Sequence, residues 1–196
     1  MTWTADPAAL LDPRDTAAAT GSATQLLQSA ADSDLEAWEF VRSTLDGWGC
    51  RALTPRVLPV VGAFVSNAFA HALDDTVPAT DPCPVVLTLL RSGRDVVCAV
   101  FDPDRTPPRR TAAYGLRRVD AVADAWGWTV PGPDGKAVWA AFSGNGARRS
   151  AAPALASLDQ LLIQIEIFTG SATPRLVLAD PSWDVEVPPE PTPSGE

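Results

Sequence analysis

The sequence predicts an α+β fold, a two-layer sandwich in which helices cover one face of a mostly antiparallel sheet. Three observations carry this. Two pairs of short β-rich runs are each joined by a turn of Gly, Pro, Ser or Asp, the pattern of β-hairpins. Amphipathic stripes at helical spacing precede and separate those hairpins. The resulting order is helix, helix, hairpin, helix, hairpin, without the β-α-β alternation that builds a parallel sheet.

Residues 1–22 are rich in Ala, Thr, Asp and Pro and read as a flexible arm, with a short entry strand at residues 24–27. Ser33-Asp34-Leu35-Glu36 matches a capping box, in which hydroxyl and carboxylate satisfy the first free amides of a helix. Trp38, Val41, Leu45 and Trp48 follow as one apolar stripe, and Gly47 and Gly49 end it. Thr54-Pro55 starts a second helix, with a cap residue before Pro at the first helical position. Its stripe is Val57, Val61, Phe64, Val65 and Ala68. Pro59 has no amide to donate, so regular helix is expected to begin only near it.

The runs at residues 85–90 and 96–101 form the first hairpin around Arg91-Ser92-Gly93-Arg94-Asp95. Residues 102–114 hold three prolines and three arginines and read as a loop. Gly115 opens a third helix with Leu116, Val119, Val122, Ala123 and Trp126 on one face. Residues 128–130 and 137–142 form the second hairpin. A linker follows, then a strongly apolar helix at residues 155–168 and a strand within 175–179. The chain divides into the arm (1–22), the sandwich domain (23–143), a C-terminal extension with one apolar helix (144–180) and a Pro-rich tail (181–196) read as disordered.

With 196 residues and 46% hydrophobic content, the chain can bury one ordinary core. A net charge of −9 argues against nucleic acid as partner, because neutralising phosphates needs clustered Lys and Arg. The three cysteines, Cys50, Cys83 and Cys98, have no metal-like spacing and read as idle thiols of a reducing compartment. There is no basic, apolar leader. No window is expected to reach the roughly 20 apolar residues of a membrane span. The expected location is the cytoplasm.

Four segments could carry chemistry. The first is residues 64–71, where Phe64, Asn67 and His71 share a helical face. An Asn on an apolar helix is costly without a partner; it can equally cap a neighbouring loop, and His71 can serve as a C-terminal cation of the helix. The second is Asp102, a carboxylate just after a buried strand, able to accept from an amine or to cap the next turn. The third is Tyr114-Gly115-Leu116, where a Gly at a helix start lets amides approach a phosphate. The fourth is Gly135-Lys136-Ala137, by default a hairpin turn. Walker A, GxGxxG, GxSxG and HExxH motifs are absent.

In their order and spacing these segments resemble the anti-sigma-factor (RsbW/SpoIIAB-like) ATP-binding proteins of the GHKL superfamily, in particular their small stand-alone actinobacterial versions. The likeness runs from about residue 23 to 142. Residues 38–48 resemble the first helix, 64–71 the N-box, 101–103 the G1 box, 114–116 the G2 box and 134–140 the closing hairpin. The resemblance implies the histidine-kinase-type ATPase fold, with ATP and Mg²⁺ as ligands. Asn67 would hold Mg²⁺ and the phosphates with His71 on the same face. Asp102 would accept from the adenine amine, Gly115 and Leu116 would pack on the phosphates, and Lys136 and Ala137 would begin the strand flooring the adenine. Arg105, Arg109 and Arg110 would lie in a lid. The implied activity is Ser/Thr phosphotransfer in regulation, with a sigma factor or its antagonist as partner and a homodimer as the common assembly.

The departures bear on chemistry. Phe64 stands where the family has its Glu base, and loss of such a base removes about 10²–10⁴-fold in rate. Pro103-Asp104 replaces the G1 glycines, and the G2 box keeps one glycine. A nucleotide-free scaffold for protein–protein interaction is the alternative function, and the helix at residues 155–168 could serve either a partner or the sheet.

Overall fold

The computed structural model describes residues 20–28, 31–72, 85–105, 116–133, 135–144, 155–169 and 176–179. In chain order these form β1 (Thr20–Leu27), α1 (Ser33–Gly47), a 3₁₀ turn (Arg51–Leu53), α2 (Thr54–Ala72), β2 (Val85–Ser92), β3 (Asp95–Asp102), α3 (Leu116–Val122), β4 (Ala125–Thr129), β5 (Lys136–Phe142), α4 (Leu155–Thr169) and β6 (Leu176–Leu178). The strands make one six-stranded sheet in the order β1-β2-β3-β5-β4-β6, each neighbouring pair antiparallel. This is the α+β architecture the sequence predicts.

Both hairpins close as expected. Ser92 pairs with Asp95 across Gly93, which turns the chain with φ 61°. Helices α1–α3 cover one face. Ala37, Val41 and Leu45 of α1 and Val57, Val61, Phe64, Val65 and Ala68 of α2 pack with Leu87, Leu89, Val96, Cys98, Val100, Val138 and Ala140 of the sheet.

Several local expectations are corrected. In α1 the buried stripe is Ser33, Ala37, Val41 and Leu45, and Trp38 is exposed. The N-cap is Asp32, one residue before the proposed capping box, and its side chain makes no cap bond. Helix α2 is continuous from Thr54 with Pro59 inside it. Pro59 lies in the second turn, where its missing amide forfeits only the bond to the Pro55 carbonyl. The Thr54 hydroxyl makes no cap bond; its Oγ1 is buried with no partner among the described residues, and the 3₁₀ turn runs directly into the helix. Helix α3 ends at Val122. Trp126 lies instead on β4 opposite Ala140, and its indole N–H donates to Asp120 Oδ1 at 2.6 Å. The two tryptophans favour extended backbone. At Gly127, moreover, the β6 backbone approaches so closely that a Cβ would collide with the Val177 carbonyl.

The stretch Arg51–Ala70 is long and apolar enough, by composition, to cross a membrane, contrary to expectation. Its apolar side is the core stripe of α2, which accounts for that composition.

Helix α4 lies on the opposite face of the sheet, so helices flank both faces, where the sequence predicts them on one. Leu161 and Ile165 pack on Val86, Leu90, Val97, Ala99, Phe101 and Trp139, and the Phe168 ring meets that of Phe101 at 4.8 Å. The C-terminal extension therefore joins the same sheet twice, through α4 on its face and β6 at its edge. Coverage on both sides explains why β2, β3 and β5 read as unbroken apolar runs rather than alternating ones.

Candidate functional site

Side chains alternate along a strand. Val96, Cys98 and Val100 of β3 and Val138, Ala140 and Phe142 of β5 face α1–α3. Asp102 and Lys136 continue those two series, so both fall on the helix-covered face, and they are direct register partners. The Lys136 ammonium donates to Asp102 Oδ1 at 2.8 Å, to Asp104 Oδ2 at 3.0 Å and to the Asp104 carbonyl at 3.0 Å. All three of its donors are used. The Lys136 and Asp102 side chains are each 1% exposed and that of Asp104 17%. The Asp104 amide closes an Asx turn onto Asp102 Oδ1 at 3.0 Å. Arg105, which the resemblance placed in the lid, donates to the Pro133 carbonyl and ties this turn to the β4–β5 connection. Gly135, at φ 131°, sits so near that a Cβ would fall on the Asp102 carbonyl oxygen.

Burial pushes the Asp102 carboxyl up from 3.8 to about 6. The neighbouring ammonium opposes that rise and the Asp104 carboxylate adds to it. Among the described residues both hydrogen bonds to Asp102 fall on Oδ1, and Oδ2 is the oxygen that could accept from a ligand donor.

On the helix layer, Asn67 is 1% exposed and its Oδ1 has no hydrogen-bond partner among the described residues. Phe64, one turn earlier, is buried in the core, with its ring centroid 6.5 Å from that of Trp126. Near the start of α2, Arg56 lies over the Phe142 ring at the end of β5. Helix α2, which carries the orphaned carboxamide, and the ionic triad lie on the same face of the sheet.

The other predicted residues divide. Ala137 is buried, but its side chain lies on the α4 face; its amide donates to Thr129 Oγ1 at 2.9 Å. It can contribute backbone only. Leu116 opens α3 and His71 lies on the last turn of α2. Gly115, Arg109 and Arg110 lie outside the described residues.

Two groups escaped the sequence reading. One is Asp104 as the second carboxylate of the triad; its Asp-Pro-Asp spacing is an Asx-turn signal. The other is Arg56, which donates to Asp124 Oδ1 at 2.7 Å and to the carbonyls of Val122 and Ser143. It locks the opposite end of the sandwich. The missed clue to the triad was composition: Lys136 is the only lysine of an arginine-rich chain. A compact ammonium with three donors suits this small buried cage, where a planar guanidinium does not.

Chemically, the site offers a hard oxygen donor and a carboxylate acceptor. Position 64 offers no proton acceptor. Among the described residues no three His, Cys, Asp or Glu side chains group to hold a metal ion. A Mg²⁺ here would therefore rest on Asn67 and on its ligand's own oxygens, a mode the ion commonly adopts. No family model matches the chain, and neither a curated protein nor a solved structure matches it.

Proposed function

We propose that the chain is a regulatory ATP-binding protein similar to the anti-sigma-factor Ser/Thr kinases, weak or inactive in phosphotransfer and acting in the cytoplasm on a sigma factor or its antagonist. The observation that carries this reading is Asn67 Oδ1, a buried oxygen without a partner among the described residues, on the helix layer that covers the face bearing Asp102. An orphaned buried acceptor costs about 1–3 kcal/mol, which a bound cation or ligand donor offsets. In this reading Asn67 holds Mg²⁺ and the phosphates. Asp102 Oδ2 accepts from the adenine amine while Lys136 keeps the carboxylate oriented. His71, Gly115 and Leu116 are the further residues that would serve the phosphates. Bound Mg²⁺ would supply charge neutralisation of the phosphates; Phe64 supplies no base, so turnover is slow or absent.

Calorimetry with Mg-ATP on the full chain and on Asn67→Ala tests this. Heat with the first and none with the second is expected; no heat with either overturns it. The second reading is a nucleotide-free interaction module. It is favoured by Phe64 filling the core side of α2 and by Lys136 already occupying one oxygen of Asp102. Absence of nucleotide binding in that experiment selects it.

A further inference from the structure

Of the large apolar side chains exposed among the described residues, Trp38 is the one aromatic, at 43%, and Leu35 on the preceding turn is 61% exposed. Three positions apart on α1, the two share a face. A single exposed leucine is ordinary. A tryptophan beside it is the residue type that most often anchors a protein interface. The Trp38 Nε1 lies 3.5 Å from the point where a Cβ on Gly62 would stand, so the indole rests over α2 at a position without a side chain. Gly62 lies between half-buried Leu58 and exposed Ser66 at helical spacing on α2. Leu35 and Trp38 thus border a shallow, uncharged strip of the second helix.

The rim of this surface carries one sign of charge. Asp32, Asp34, Glu36 and Glu39 are all exposed, and residues 20–41 contain no Lys or Arg. Asp34 and Glu36 lie in the first turn of α1, where a carboxylate also complements the helix dipole. Glu39 lies beyond that turn, where the dipole has faded. The nearest cation along α1 is Arg42, a full turn past Trp38. Arg56 on α2 is held by Asp124 at 2.7 Å.

We propose that the α1–α2 surface around Leu35 and Trp38 docks a cationic amphipathic helix of a protein partner. The indole ring attracts an ammonium or guanidinium over its face. The Glu36 and Glu39 carboxylates accept from the same groups. Leu35 and the strip at Gly62 receive the aliphatic side chains of the incoming helix at its i, i+3 and i+4 positions. A second copy of the chain does not fit, because it would set acidic rim against acidic rim with a net charge of −9 on each side. An anionic membrane and a nucleic acid are repelled for the same reason. The docking surface shares no residue with the candidate nucleotide site, so either reading can fail without the other.

The probe is a fluorescein-labelled amphipathic helix of about 18 residues built from Leu and Lys, with a Leu and Glu peptide of the same pattern as its counterpart. Anisotropy is measured on the full-length protein. The Leu/Lys peptide should bind, with affinity falling as salt rises from about 50 to 300 mM, and the Leu/Glu peptide should not. In ¹⁵N spectra of the seven indole N–H groups, the Trp38 signal, identified by its loss in Trp38→Phe, should shift on binding. Leu35→Ser should weaken binding about tenfold. Glu36→Gln with Glu39→Gln should weaken it and flatten its salt dependence. Both variants alter exposed side chains, so thermal melts should show them folded. Ile163→Ser with Ile167→Ser, exposed apolar positions on α4, should leave the affinity unchanged. No binding, equal binding of the Leu/Glu peptide, an unmoved Trp38 signal, or affinity indifferent to the α1 variants overturns the proposal. The last outcome would show only a general attraction of cations to an acidic chain.

Discussion

Replacing Lys136 by Met keeps most of the side-chain volume and removes the charge. The ammonium is 1% exposed and serves three acceptors. Taking away one partner of a buried ion pair costs about 3–5 kcal/mol, because the partner left behind is charged and dry. That is a large part of the 5–15 kcal/mol typical of a domain. The cost should depend on pH, with a definite sign. Asp102 sits at about 6 in the folded chain against 3.8 for the free group. Its titration therefore favours folding below 3.8, and that contribution, about 3 kcal/mol, is lost as pH rises through about 6. Without Lys136 the folded-state value moves higher still, so at pH 5 Asp102 escapes its charge by holding a proton, and at pH 8 it does so less completely. Urea unfolding followed by tryptophan fluorescence should show about 3–5 kcal/mol lost at pH 8 and clearly less at pH 5. The double variant with Asp102→Asn should lose less at pH 8 than Lys136→Met alone. A loss under about 1 kcal/mol at pH 8, or the same loss at both pH values, would refute the argument.

Other perturbations follow from the same packing. Phe64→Ala should cost about 3–5 kcal/mol in urea unfolding, since the ring is buried against Trp126; a change below 1 kcal/mol would place the ring outside the core. Phe64→Glu buries a carboxylate in that core and should destabilise the fold without creating phosphotransfer, so a phosphorylated partner appearing with that variant contradicts the reading. Gly135→Ala combines a φ of 131° with a Cβ directed at the Asp102 carbonyl. It should lower the melting temperature; an unchanged melt counts against the close approach.

Much of the fold was readable because its signals are local. Turn residues, two apolar runs and helical stripes supply the element order. Readings failed where two periodicities coincide. Trp126 follows Val119 and Val122 at helical spacing yet belongs to a strand, and only pairing with β5 and β6 decides between them. Trp38 extends the stripe of α1 by spacing, but the smaller Ala37 takes the core position. Helix α4 was legible as a helix, whereas its seat on the far side of the sheet depends on the strands it covers. At the site, Asp102 and Lys136 were both singled out, each for a ligand. Their attachment to one another is a matter of register between strands 34 residues apart, which spacing along the chain does not carry. For Asn67 the residue type foretold a cost; its unpartnered oxygen is a property of the assembled layers.

The placement of α4 sets where this protein can be cut. A fragment ending at residue 143 would retain every candidate site residue and both hairpins, and by spacing alone it resembles a complete domain. It would also leave Val86, Leu90, Val97, Ala99, Phe101 and Trp139 facing water on a broad, nearly uncharged sheet surface. Such a surface invites self-association. The segment after the second hairpin is thus part of the minimal unit in which binding at the opposite face can be measured.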